Sequence, residues 1–259
     1  MCTQNSNSQI PQDLPIVLLH GWGMNKMVWQ PIVENLPVDL ANRIIALDLP
    51  GYGQNCDYTG EYELTDLASW LYEQVKDFDS VIVVGWSLGG LVAQQFALDY
   101  PEKVHQLNII GSTPKFMATE GWYGIKPEVL SMFAEQLVQN SKQTIERFLA
   151  IQAMGSRTAR DDIKQLKELI LSAPEPNSVA LAEGLKLLEQ EDLRAQWSEL
   201  QCPVFALFGK LDSLVPYKAI KDIENLGKSP KVTILDKSSH APFISHPEAF
   251  LDWLKWSLN

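Results

Sequence analysis

The run Val81-Ile82-Val83-Val84 passes directly into Gly85-Trp86-Ser87-Leu88-Gly89-Gly90 and then into a helical pattern from Leu91 to Leu98, which Pro101 closes. No other stretch limits the possible folds as much. An unbroken β-branched run suits a central parallel strand buried on both faces. A strand that turns into a helix across Gly-x-Ser-x-Gly must reverse sharply. Glycines two residues to either side of the serine let backbones pass without a Cβ clash, and the turn lifts the hydroxyl above the sheet. The pentapeptide alone is common, but its placement between strand and helix marks Ser87 as a nucleophile, with a structural turn serine as the alternative.

The same unit recurs along the chain. Ile16 to Leu19 ends at His20-Gly21-Trp22-Gly23, and Arg43 to Leu47 ends at Asp48-Leu49-Pro50-Gly51-Tyr52-Gly53. Leu64, Leu67, Ala68, Leu71 and Val75 share one helical face, and Gln106 to Ile110 reads as the next strand. From about Pro114 to Trp197 no buried strand is legible. Helical spacing recurs there over Val129 to Leu137, Thr144 to Met154, Asp161 to Leu171 and Val179 to Leu188, broken by Pro174 and Pro176. Strand runs return at Val204 to Phe208 and Lys231 to Leu235, and a last helix covers Ala249 to Leu258. This alternation predicts an α/β fold with a mostly parallel central sheet flanked by helices. Residues 1–113 and 198–259 form its core, and residues 114–197 form an inserted helical lid.

Composition narrows the function. At 259 residues and 46% hydrophobic the chain can bury a sizeable core. The net charge of −11 disfavours a nucleic-acid binder. The opening MCTQNSNSQIPQDLP has neither the basic nor the apolar segment of a signal peptide, and no later run has membrane-spanning length. Cys2, Cys56 and Cys202 are widely spaced and form no metal motif, as expected of reduced cysteines in a cytoplasmic protein.

A serine hydroxyl needs a base. Among His20, His105, His240 and His246, the one that follows a strand within a polar loop on the catalytic side is His240, in Ser238-Ser239-His240-Ala241-Pro242. His20 shapes the oxyanion turn; His105 and His246 read as surface or packing residues. Asp212 follows Val204 to Phe208 and precedes His240, giving the order Ser, Asp, His; Asp222 and Asp236 are the fallback carboxylates. The backbone amides of Trp22 and Leu88 are the candidate oxyanion donors. Trp22, Trp86, Phe148 and Phe243 either bound an apolar channel or belong to the core.

These motifs together, with Leu214-Val215-Pro216 after Asp212, resemble the α/β-hydrolase superfamily over nearly the whole chain. More narrowly, the chain resembles the pimeloyl-(acyl-carrier protein) methyl ester esterases. The narrower resemblance rests on Gly85 to Gly90, Gly124-Ile125-Lys126-Pro127, Glu146 to Gly155, and His240-Ala241-Pro242-Phe243-Ile244-Ser245-His246-Pro247. It implies hydrolysis of a methyl ester on a carrier-bound pimeloyl chain in biotin synthesis, with no metal or organic cofactor. It also implies a Ser87, Asp212 and His240 triad, carbonyl-binding positions at Trp22 and Leu88, and an acyl channel lined by Phe148, Leu149, Ala150, Ile151 and Gln152.

Between Lys142 and Lys167 six basic residues face three acidic ones, a net of +3 against −14 for the rest of the chain. Such a surface steers an acidic carrier protein, although amphipathic helices often carry ordinary mixed charge. The resemblance adds Arg147, Arg160 and Lys164 as carrier-binding positions. It also shows a basic residue where this chain has Gln143, which Lys142 replaces in part. Competing readings are a broad carboxylesterase, a thioesterase or a carbon-carbon bond hydrolase; outside enzymes, a ligand receptor that kept the fold. A dehalogenase would need aspartate in place of Ser87. The default assembly is a monomer.

Overall fold

The computed structural model describes residues 13–152, 159–171 and 173–258. In chain order its elements are β1 (Ile16–Leu19), α1 (Gln30–Val33), α2 (Val38–Ala41), β2 (Ile44–Leu47), α3 (Leu64–Val75), β3 (Val81–Trp86), α4 (Leu88–Asp99) and β4 (Val104–Ile110). These are followed by α5 (Pro127–Gln139), α6 (Ser141–Gln152), α7 (Ala159–Leu171), α8 (Ser178–Gln190), β5 (Val204–Gly209), α9 (Ala219–Glu224), β6 (Lys231–Leu235), α10 (Pro242–Ser245) and α11 (Pro247–Ser257).

The strands form one parallel sheet in the order β2-β1-β3-β4-β5-β6. Chain order reverses on either side of β1, so the crevice at the carboxyl ends of β1 and β3 is the topological switch point where open α/β sheets bind ligands. β3 and β5 are buried along their whole length, while the edge strands β2 and β6 are only half-buried or exposed. β3 runs two residues past the β-branched stretch, because Gly85 and Trp86 continue to pair with Ile109 and Ile110.

The pleat divides the core in two. Val17, Leu19, Val81 and Val83 face the helices α3 and α4, with Leu64, Leu67, Ala68, Leu71 and Val75 forming the buried stripe of α3 that the helical spacing predicts. Ile16, Leu18, Ile82, Val84 and Trp86 face the other way, onto Trp29, Phe250 and Leu254. Each fully buried aliphatic side chain contributes about 1.5–3 kcal/mol.

Between β4 and β5 lie the helices α5 to α8. The two ends of this helical segment meet: the Leu193 N–H donates to the Pro114 carbonyl at 2.8 Å. Lys115 Nζ sits 2.8 Å from Asp192, whose carboxylate also receives Arg194 Nε and Nη2 at 2.7 Å each. Those bonds, led by Arg194, hold the Asp192 carboxyl well below the usual carboxylate range. Among the described residues no helix is long and apolar enough to cross a membrane.

Candidate active site

Ser87 sits at φ 55° and ψ −120°, the one non-glycine residue with positive φ among those described. Such a conformation costs about 1–3 kcal/mol and persists because its surroundings fix it. The Ser87 N–H donates to the Ile110 carbonyl at 3.0 Å, tying the turn to β4. A Cβ on Gly89 would strike the carbonyls of Leu19 and His20, and one on Gly85 would strike the Gly89 backbone. The turn therefore packs backbone against backbone, and the first amide of α4, that of Leu88, lies at the positive end of the helix.

Asp212 follows β5. Its Oδ1 accepts the N–H groups of Leu214 and Val215 at 2.9 Å each, and its Oδ2 accepts His240 Nδ1–H at 2.7 Å. Both side chains are buried, at 0% and 1% exposure, so the pair is shielded from water. With Nδ1 donating to the carboxylate, Nε2 is the basic nitrogen. It is buried and has no hydrogen-bond partner among the described residues, Ser87 Oγ included. This serine–histidine contact is the one the structure leaves open, as substrate-free hydrolases often do before the contact tightens.

The amides of Trp22 and Leu88 have no hydrogen-bond partner among the described residues. The Trp22 loop is set by His20, whose Nδ1 meets the Gly21 carbonyl at 2.8 Å and whose Nε2 accepts the Leu49 N–H at 3.0 Å. This geometry requires a neutral ring, and burial pushes its pKa down from 6.5 to about 4. His20 thus fastens the β1 and β2 loops together. Asp48 completes the joint by accepting the Lys26 and Gln54 amides at 2.7 and 3.0 Å.

The aromatic candidates separate into two groups. Trp22 meets Phe148 edge to face at 4.9 Å, and its Nε1 donates to the Leu181 carbonyl at 2.8 Å. Trp86 and Phe243 instead pack with Trp29 and Phe250 in the core on the other side of the sheet. Trp86 still touches the site's frame, its Nε1 donating to the His240 carbonyl at 2.9 Å. On α6, Leu149 and Gln152 are buried, Ala150 is exposed and so lies away from Phe148, and the side chain of Ile151 lies outside the described residues.

Arg147, Arg160 and Lys164 are exposed on α6 and α7, and Arg157 lies outside the described residues. Lys167 bridges to Glu146 at 2.9 Å, joining the two helices. Below them, Ile145, Leu149, Ile170 and Leu181 line an apolar groove. Ile145 reaches the Trp22 loop, standing 3.6 Å from where a Gly23 Cβ would be.

The fallback carboxylates are occupied elsewhere: Asp236 pairs with Lys210 at 2.7 Å, and Asp222 accepts the Tyr123 amide at 3.4 Å. His105 is half-buried on β4, and His246 meets Ser245 at 2.9 Å. Among the described residues no cluster of His, Cys, Asp and Glu is arranged to hold a metal ion. Sequence reasoning missed Ser239 and Gly209. A Cβ on Gly209 would strike the Ser239 carbonyl, so the Asp212 and His240 loops touch through their backbones. A glycine as the last residue of a strand was the available signal.

Known proteins resemble the chain over most of its length. A family model described as alpha/beta hydrolase fold matches residues 15–247. The chain is 47% identical over 239 residues to a pimeloyl-(acyl-carrier protein) methyl ester esterase of Aeromonas hydrophila, covering 92% of each chain. It is also 47% identical over 252 residues to one of Shewanella woodyi, covering 95% of each. Among solved structures, an esterase from Exiguobacterium antarcticum superposes with a TM-score of 0.82 at 22% identity, over 95% of this chain and 91% of that one. An enol-lactonase from Burkholderia xenovorans does so at 0.80 and 17%, over 95% and 91%. At those identities the structural likeness speaks for the fold alone.

Proposed function

The chain belongs to the α/β-hydrolase superfamily and, within it, to the pimeloyl-(acyl-carrier protein) methyl ester esterases. From that premise we propose that it is a serine carboxylesterase that removes the methyl group from pimeloyl-(acyl-carrier protein) methyl ester in biotin synthesis. The observation that carries the reading is the buried Asp212–His240 pair at the same end of the sheet as the strained Ser87 turn.

Ser87 Oγ attacks the ester carbonyl as His240 Nε2 takes its proton; Asp212 holds the ring and stabilises the imidazolium. The amides of Trp22 and Leu88 receive the oxyanion, a contribution of about 3–4 kcal/mol for a donor of this kind. Collapse passes the histidine's proton to methoxide, releasing methanol and leaving an acyl-enzyme on Ser87. Water, deprotonated by the same histidine, then attacks the acyl carbonyl and restores the serine.

We assign residues 114–197 as the lid. The pimeloyl chain runs along the groove of Ile145, Leu149, Ile170 and Leu181 beside Trp22 and Phe148, each buried methylene contributing about 0.8 kcal/mol. Arg147, Arg160 and Lys164 meet the acidic carrier protein, their fields adding to the encounter rate. A cytoplasmic monomer is the form in which we place the enzyme.

Mass analysis of methyl pimeloyl-carrier protein before and after incubation tests the reading. Loss of a methyl group with the carrier linkage intact is expected; cleavage at the thioester, or no change, would overturn it.

A further inference from the structure

We infer that Ser239 is a positioning residue for the catalytic histidine, fastening the His240 loop to α6 at Gln152; the inference rests on His240 being the base. His240 follows β6, an edge strand, and the loop between them has no regular structure of its own. Its backbone is held at three separate walls. The Leu211 N–H donates to the Ser238 carbonyl at 2.9 Å, joining it to the Asp212 loop. Trp86 Nε1 donates to the His240 carbonyl at 2.9 Å, joining it to β3. On the third side, Ser239 Oγ donates to the Gln152 carbonyl at 2.6 Å and the His240 N–H donates to the same oxygen at 3.0 Å.

Gln152 lies on α6, and its side chain is buried. Its carbonyl accepts from two consecutive residues ending at the base, so one oxygen orients both. α6 also carries Phe148 against Trp22, so one helix braces both the oxyanion loop and the histidine loop.

Without the Ser239 hydroxyl the Gln152 carbonyl keeps the His240 N–H, and no buried acceptor is orphaned on it. The fold therefore survives, while residue 239 loses its hydroxyl tie to α6 and the direction of His240 is held by the remaining bonds alone. A base displaced by a fraction of an ångström slows proton transfer without altering how the acyl chain is bound.

Ser239→Ala is expected to lower kcat about tenfold while KM stays within about twofold. The loss is the same for a soluble p-nitrophenyl ester and for methyl pimeloyl-carrier protein, because one histidine serves both. Ser239→Thr, which restores a hydroxyl, recovers most of the rate, and the downfield Nδ1 proton of His240 broadens by NMR in the alanine variant and sharpens again with threonine. Should Ser239→Ala fail to fold, Ser239→Cys, a weaker donor of similar volume, takes its place with an intermediate kcat. Wild-type kcat in a folded variant, a rise in KM alone, or a threonine variant as slow as the alanine one would overturn the assignment. Failure of the triad itself registers separately, as turnover retained by Ser87→Ala.

Discussion

At the strand ends, Ser87, Asp212 and His240 are fixed largely through the main chain: a strained turn tied to Ile110, two amides on one carboxylate oxygen, and a loop whose carbonyls at Ser238 and His240 accept from Leu211 and the Trp86 indole. Between the β1 loop and the helices α5 to α8, contact runs through side chains, as in the Trp22 indole N–H to the Leu181 carbonyl and Trp22 against Phe148. Backbone placement leaves only a few neighbouring side chains, Trp86 and Ser239 among them, to set the triad's position. Packing between amphipathic helices is re-cut by single substitutions, so specificity is the adjustable part.

The comparison can be broken most directly at the nucleophile. Ser87→Ala is expected to cut turnover about 10⁶-fold and to abolish labelling by a fluorophosphonate. Labelling that persists in the folded variant would remove Ser87 from its role. Asp212→Asn keeps the volume but lets the amide favour the wrong histidine tautomer, and a loss of about 10⁴ in kcat is expected on every ester. A much smaller loss would mean that the carboxylate only holds the loop.

The framework beneath the oxyanion site responds to acid. His20 is neutral when folded, with its pKa lowered to about 4 from 6.5, so the unfolded chain binds the extra proton between those values. Its contribution to stability is present above about pH 6.5 and lost as pH falls toward 4, up to about 3 kcal/mol. Thermal unfolding followed from pH 7 to 4.5 is expected to steepen in that window, and His20→Asn flattens it; parallel curves would acquit His20. On the insertion, Arg147→Glu with Arg160→Glu is expected to slow carrier-bound ester about tenfold at low salt and to lose that effect at high salt, while a small soluble ester is spared. Equal losses on both esters would place these arginines in the fold instead.

What could be read from sequence follows from what is local. Strand runs and the stripe of α3 announce themselves by period, and Ser87, Asp212 and His240 each stand a few residues beyond such a run. The short α9 and α10 carry too few residues for a period to show. The side of the sheet on which Trp86 lies was legible in part: it shares parity with Ile82 and Val84, and that face packs on Trp29 rather than on Trp22. Phe243 offers no such parity. The Ser239 tie to Gln152 joins residues 87 positions apart, and nothing in either neighbourhood encodes the other.

The neck formed by Pro114, Lys115, Asp192, Leu193 and Arg194 has a consequence for how such enzymes diversify. Because the ends of the insertion meet at a hydrogen bond, the sheet receives it as a closed loop whose length does not alter the spacing of β4 and β5. Loop-closure entropy grows only with the logarithm of that length. An exchange of the whole segment at this neck, from a relative with another appetite, would keep the strand register and present a new ceiling to the same serine.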